Sequence, residues 1–198
     1  MNLTRKDLHY RFNPRYKQPS PVHCKTFTRT ALAALFGELG FTRGAEIGVQ
    51  EGRYSEILLQ NIPNLSLLLV DPWEEYQRPG MSGPSAEKQE RIYESARRRV
   101  DGLAVKFLRM MSLEAAQEIP DNSLDFVYID GNHTFDYVMQ DLIAWSSKVK
   151  DGGIVAGHDY YHFRSGGVVY AVNAFTAAHG IREWFIDGEK EISYFWAK

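Results

Sequence analysis

The stretch GAEIGVQEGRYSEILL, residues 44–59, followed by LSLLLVDPW, residues 65–73, decides the fold. Ala45–Val49 is predicted as a short strand, with Gly48 and Gly52 in the turn at its end. Over Arg53–Gln60, Tyr54, Ile57 and Leu58 recur at i, i+3 and i+4, the spacing of one helix face. Leu65–Val70 is a continuous apolar run, as expected of a strand buried on both faces. Strand, helix and strand at this spacing form a βαβ unit, which implies parallel strands and a right-handed crossover.

The same alternation continues outward. Phe27–Leu39 is predicted as a helix closed by Gly40 at its C′ position. Ser85–Val100 is a helix with Ile92, Tyr93, Ala96 and Val100 inward, and its basic end, Arg97–Arg99, suits the helix dipole as a solvated terminus. Val105–Arg109 is a strand, and Ser112 is expected to N-cap a short helix through Glu118. Leu124–Asp130 is a strand. Phe135, Val138, Leu142 and Trp145 form a helix stripe, Gly153–Gly157 a strand, and Gly167–Ala178 a helix. Ile181–Ile186 and Ile192–Trp196 read as strands joined through Asp187–Gly188. The expected fold is α/β: a Rossmann-like three-layer sandwich with a seven-stranded, mostly parallel sheet and a C-terminal antiparallel hairpin. Residues 1–25 form an arm and residues 26–198 the domain.

Composition narrows the function. The chain has 198 residues, close to one domain by length, and 44% hydrophobic residues, enough for a core. Its formal charge of −2 argues against a partner held by bulk attraction to phosphates, so no nucleic acid is expected. A single cysteine, Cys24, excludes an intrachain disulfide and an all-cysteine zinc site. Neither a secretory signal nor a membrane span is read, so the expected location is cytoplasmic. The arm carries six Lys or Arg against one acid, interleaved with Tyr10, Phe12 and Tyr16. It is expected to pack on the domain or a sister subunit, or else to act as a lid over an anionic substrate.

Ligands of open α/β sheets bind beyond the carboxyl ends of the strands. There the first strand delivers Glu46, Gly48 and Gly52 and then a helix start, whose free N–H groups and partial positive charge favour anionic groups. The second strand ends at Asp71, where a carboxylate could accept both hydroxyls of a ribose. Together these features favour a nucleoside site. The spacing E-x-G-x-x-x-G lacks the glycine that a dinucleotide fingerprint requires, and neither a P-loop nor a G-x-S-x-G elbow occurs. Asp130 ends one strand and His158–Asp159 the next, which brings them together if the strands are neighbours. The acids suit Mg²⁺ or another divalent cation, with Asp130 and Asp159 as ligands; they equally suit a hydrogen-bonded pair shaping a pocket. His133 could remove a hydroxyl proton, because imidazole titrates near neutrality, or could cap the helix that follows.

Taken together, residues 44–59, LLLVDPW at 67–73, FLRMMSLEAA at 107–116 and VYIDGNHTFDYVMQDLIAWSSKVKDGGIVAGHDYYH at 127–162 resemble the class I S-adenosylmethionine-dependent methyltransferases. The last segment is similar to the group of macrocin-type sugar O-methyltransferases and cephalosporin hydroxylase-like proteins. The resemblance covers roughly residues 27–196. It implies S-adenosyl-L-methionine as cofactor, with Glu46, Gly48 and Gly52 around its methionine end. Asp71 would hold the ribose, Trp73 the nucleoside, and Met111 and Ser112 the adenine. Asp130 would lie at the methyl-transfer centre. The matching acids of macrocin-type enzymes bind a divalent metal, although His158 here stands where those relatives carry an acid. The implied acceptor is a hydroxyl on a small molecule or sugar, and a homodimer is compatible with the resemblance.

Rival classes have distinct signatures. An NAD-dependent oxidoreductase shares the acid at Asp71 but needs the missing glycine. A non-catalytic cofactor-binding partner protein would have its acceptor side closed by the arm. A metal-dependent enzyme of another kind would use Asp130, His158 and Asp159 without a nucleoside.

Overall fold

The computed structural model describes residues 3–15, 18–75, 77–78, 81–163 and 166–198. Tyr16 and parts of the 72–84 and 160–167 loops lie outside the described residues. Eight strands form one sheet in the order β1-β9-β10-β8-β7-β2-β3-β6. These are β1 (Val22–His23), β2 (Arg43–Ile47), β3 (Ser66–Val70), β6 (Val105–Leu108), β7 (Leu124–Ile129), β8 (Val149–Gly157), β9 (Phe185–Ile186) and β10 (Tyr194–Ala197). Every pairing is parallel except those of β10, which runs antiparallel to both β8 and β9. The mostly parallel sheet and the reversed terminal strand are as expected. The count of seven strands is corrected to eight.

The additional strand is β1, within the first 25 residues, which reads as arm in the sequence. Two residues are too few for a period to show, and pairing with β9 alone makes Val22–His23 a strand. The Val22 N–H donates to the Trp184 carbonyl (2.8 Å) and the Cys24 N–H to that of Ile186 (2.8 Å). The helix α1 (Leu3–Phe12) lies alongside. Its Thr4 hydroxyl donates to the Gly152 carbonyl (2.6 Å), and Phe12 packs on Phe27, Phe185 and Phe195.

Alternation along the strands divides the core in two. Leu67, Leu69, Phe126, Tyr128, Ile154 and Phe195 pack with α2 (Arg29–Glu38), α3 (Arg53–Asn61) and α4 (Ala86–Arg99). Leu68, Val70, Val127, Ile129, Val155 and Trp196 pack with α5 (Ser112–Gln117), α6 (Phe135–Lys148) and α7 (Val168–Ala178). Burying one aliphatic or aromatic side chain in such a layer stabilises by about 1.5–3 kcal/mol. Between β3 and α4 the chain carries a small hairpin, β4 (Gln77–Arg78) with β5 (Met81–Ser82). Thr28 caps α2 by accepting from the Ala31 N–H (3.1 Å), and Gly40 takes φ +71° after its end, as a C′ glycine does.

Three local expectations need correction. Ser112 is the first residue of α5 rather than its cap; Met111 holds the cap position without a side-chain bond. Phe135 is 42% exposed rather than part of the buried stripe, because it opens α6 and its backbone is packed by Gly167. Of the closing hairpin only Phe185–Ile186 and Tyr194–Ala197 are strand. The Ile181–Trp184 segment instead bonds the arm, with the Trp184 N–H donating to Ser20 Oγ (3.0 Å) and Glu183 meeting His9 (3.0 Å). Among the described residues no helix is long and apolar enough to cross a membrane.

Candidate active site

The carboxyl ends of β2, β3, β7 and β8 converge as the parallel order requires. Gly48 follows β2 at φ +87°, and a Cβ there would collide with the Asp130 carbonyl, so only glycine lets the β2 turn lie against the end of β7. Gly52, at φ +73°, occupies the cap position of α3 and gives it no side-chain cap, leaving its first N–H groups open toward the turn. Glu46 is buried beneath, where the Ser55 hydroxyl donates to Oε2. Burial pushes the Glu46 carboxyl up to about 8, so at neutral pH it is largely protonated and shapes the turn as a neutral group.

Asp71 follows β3. One oxygen accepts the N–H groups of Val49 and Gln50 (3.0 Å each) and the other accepts that of Trp73 (2.9 Å). Burial raises its carboxyl against the pull of these bonds. Asp71 therefore joins the β2 and β3 loops, and of its four acceptor sites one, on the oxygen bonded by Trp73, is left over. Trp73 is 1% exposed. Its indole donates to the Gln50 carbonyl (2.9 Å) and packs on Tyr93 and Phe107. It supports the loop from behind and presents no open face. Met111 is exposed, whereas Ser112 spends its proton on Asp141 (2.5 Å) and accepts from the Trp145 indole (2.8 Å). Asp141 is this buried anchor. Burial lifts its carboxyl to about 6.

Asp130, His133 and Asp159 come together, their ligand atoms all within 4.8 Å of one another. His133 Nε2 lies 3.0 Å from Asp159 Oδ2 and 3.6 Å from Asp130 Oδ1. Asp159 turns the chain after β8 at φ +59°, a left-handed conformation that Asp tolerates better than most residues. His158 is buried behind them, its Nδ1 3.4 Å from Asp159 Oδ1 and 3.7 Å from Asp130 Oδ2. Burial opposes charge on His158, but the bond to Asp159 and the Asp130 carboxylate raise its pKa overall. Burial likewise opposes charge on Asp159, and the two histidines outweigh it and lower its pKa. Phe163 packs edge-on against His133.

Sequence reasoning missed Arg29. It opens α2, far from any motif, yet its Nη1 lies 3.6 Å from Asp130 Oδ2. With His158, Glu189, Lys190 and Glu191 it lines a cleft of about 230 Å³. Nothing in the local sequence distinguishes this arginine. Its place follows only from α2 docking beside α3.

Residues 45–160, more than half of the chain, match the family described as a methyltransferase domain. The chain belongs to that family. The matched span holds every motif of the resemblance from Glu46 to Asp159, so the glycine turn, the strand-end acid and the acid–histidine cluster belong to a methyltransferase domain. No curated protein matches the chain. Among solved structures, the methyltransferase is similar to the O-methyltransferase NovP, at 18% identity and a TM-score of 0.61, over 86% of this chain and 77% of that one. It is similar to an O-methyltransferase from Bacillus cereus in complex with S-adenosylhomocysteine, at 13% identity and a TM-score of 0.62, over 100% and 92% of the two chains. Cofactor-bound Rv0187 from MTB matches at 14% identity and a TM-score of 0.57, over 85% and 78%. At these identities the likeness shows the fold.

Proposed function

We propose that this methyltransferase moves the methyl group of S-adenosylmethionine to a hydroxyl oxygen of a small molecule or sugar. The observation that carries the reading is the placement of His133 between Asp130 and Asp159 beside the glycine turn. The cofactor fits the site's chemistry: Gly48 leaves the β2 turn without a side chain, α3 offers open N–H groups, and Asp71 keeps an acceptor for a ribose hydroxyl. Glu46, Gly48 and Gly52 shape the methionine end, and exposed Met111 offers an apolar edge to the adenine.

The reaction is an in-line displacement, so the protein must hold the acceptor oxygen against the methyl carbon and take its proton. His133 receives that proton, and Asp130 and Asp159 balance the charge it gains. The same three side chains also fit a divalent cation, two carboxylate oxygens and one imidazole nitrogen being a donor set that transition metals accept more readily than Mg²⁺. Bound there, a cation would lend Lewis acidity to the acceptor hydroxyl, and His133 would serve as a ligand rather than a base.

Calorimetry with S-adenosylhomocysteine and with NAD tests the assignment, together with methyl transfer from labelled cofactor to a metabolite extract. Tight binding of the first ligand and labelled product support it. Binding of NAD alone overturns it. Dialysis against a chelator separates the two proton-handling schemes: activity persists if His133 is the base and disappears if a cation is required.

A further inference from the structure

We infer that Arg29 anchors the α-carboxylate of the bound cofactor's amino-acid tail. The inference rests on the methyltransferase reading above and adds a residue to it. Arg29 is held from several sides. Its N–H donates to Glu189 Oε2 (2.8 Å), its carbonyl accepts from the Tyr54 hydroxyl (3.2 Å), and its guanidinium lies 4.7 Å over the Tyr54 ring. Tyr54 stands two residues beyond Gly52, at the open start of α3. The guanidinium is therefore fixed over the ring of a residue in the first turn of α3 and beside Asp130.

The guanidinium also meets the Tyr128 hydroxyl, but its carboxylate contact there is incomplete. The contact with Asp130 is a single one of 3.6 Å, whereas an arginine fully committed to a carboxylate forms two bonds of about 2.7–2.9 Å. The neighbouring arginines are spent. Arg53 ends on Glu51 (2.9 Å), Arg99 on Glu56 (2.9 Å) and Arg109 on Glu90 (2.6 Å). The remaining charge at this edge is mostly carboxylate, Asp71, Asp130 and Asp159, while Glu189, Lys190, Glu191 and His158 line the cleft beside Arg29. A zwitterionic tail entering such a site finds acids for its ammonium, and Asp130 is the nearest of them to Arg29. Its carboxylate would be repelled unless it meets the guanidinium and the α3 N–H groups together. Arg29 stacked on Tyr54 has its rotamer already restricted, so little entropy is lost when the carboxylate arrives.

The test is calorimetry on the whole chain with two ligands, S-adenosylhomocysteine and its decarboxylated analogue, which keeps the nucleoside, thioether and ammonium. Arg29→Met should weaken the first by about 10- to 100-fold, the worth of a charge-assisted bond, and the second by less than about twofold. Arg29→Lys, which keeps the charge without the fork, should fall between. Equal losses for both ligands, or no loss for either, would overturn the role of Arg29. If the unaltered protein binds neither ligand, the methyltransferase reading itself fails and this inference with it.

Discussion

Gly48 and Asp130 touch across two strands: the α-carbon of one faces the backbone carbonyl of the other so closely that a methyl group cannot be placed between them. The end of β2, which carries the glycine turn, and the end of β7, which carries the acid–histidine cluster, are thereby held at a fixed spacing. Gly48→Ala must strain a φ of +87° and push β2 from β7. The expected cost is about 2 kcal/mol or more. Denaturant unfolding should show it, with loss of S-adenosylhomocysteine binding. An alanine variant as stable as the parent contradicts the packing described here.

His133 and Asp159 are expected to govern turnover rather than cofactor binding. His133→Gln should lower kcat by about 10²- to 10⁴-fold, in the range of a lost general base, and Asp159→Asn should lower it as well. Calorimetric affinity for S-adenosylhomocysteine should stay within about twofold. A variant with unchanged kcat removes His133 from the chemistry.

Asp71 holds three backbone N–H groups, so its replacement should do two things. Asp71→Ala frees Val49, Gln50 and Trp73 N–H groups and should cost about 1–3 kcal/mol of stability, together with most nucleoside affinity. Asp71→Asn keeps acceptor oxygen on one side and should lose less stability. Adenosine titration beside thermal unfolding separates the two effects. Unaltered adenosine affinity in the alanine variant would end the ribose assignment.

Asp141 gives the protein a pH signature. Burial raises its folded-state carboxyl to about 6, against about 4 in an unfolded chain. Between those values the folded form keeps the proton and the unfolded form releases it. Stability from this group is therefore present at low pH and is lost as pH rises from about 4 through 6, by up to about 3 kcal/mol. Asp141→Asn cannot titrate and still offers Ser112 an acceptor. Its stability relative to the parent should climb across that window and level off above it. A flat difference shows that Asp141 does not titrate in this way.

Much of the architecture was legible because strand and helix periods are properties of the local sequence. Leu67–Val70 and Phe126–Ile129 are continuous apolar runs, and α3 begins at Arg53 as its spacing requires. Asp71, Asp130 and Asp159 were legible as strand-end acids because the topology of a βαβ sheet fixes where such ends lie. The rest depends on tertiary pairing. β1 exists only through β9, Trp73 is enclosed only because Tyr93 and Phe107 arrive from α4 and β6, and Ser112 turns from cap to bridge because Asp141 is buried opposite it. Arg99, read as part of a solvated end, instead reaches the Glu51 carbonyl and Glu56. No window of sequence contains both partners of such contacts.

The place of β10 bears on how the chain acquires its shape. Tyr194–Ala197 slots between β8 and β9, both of which leave the ribosome earlier, so every nascent chain that stops short of it carries two unsatisfied edges facing a gap. The sheet cannot be zipped from one side in the order of synthesis. Its assembly waits on a late wedge, and until that wedge arrives the open edges of β8 and β9 are exposed to pairing with other chains.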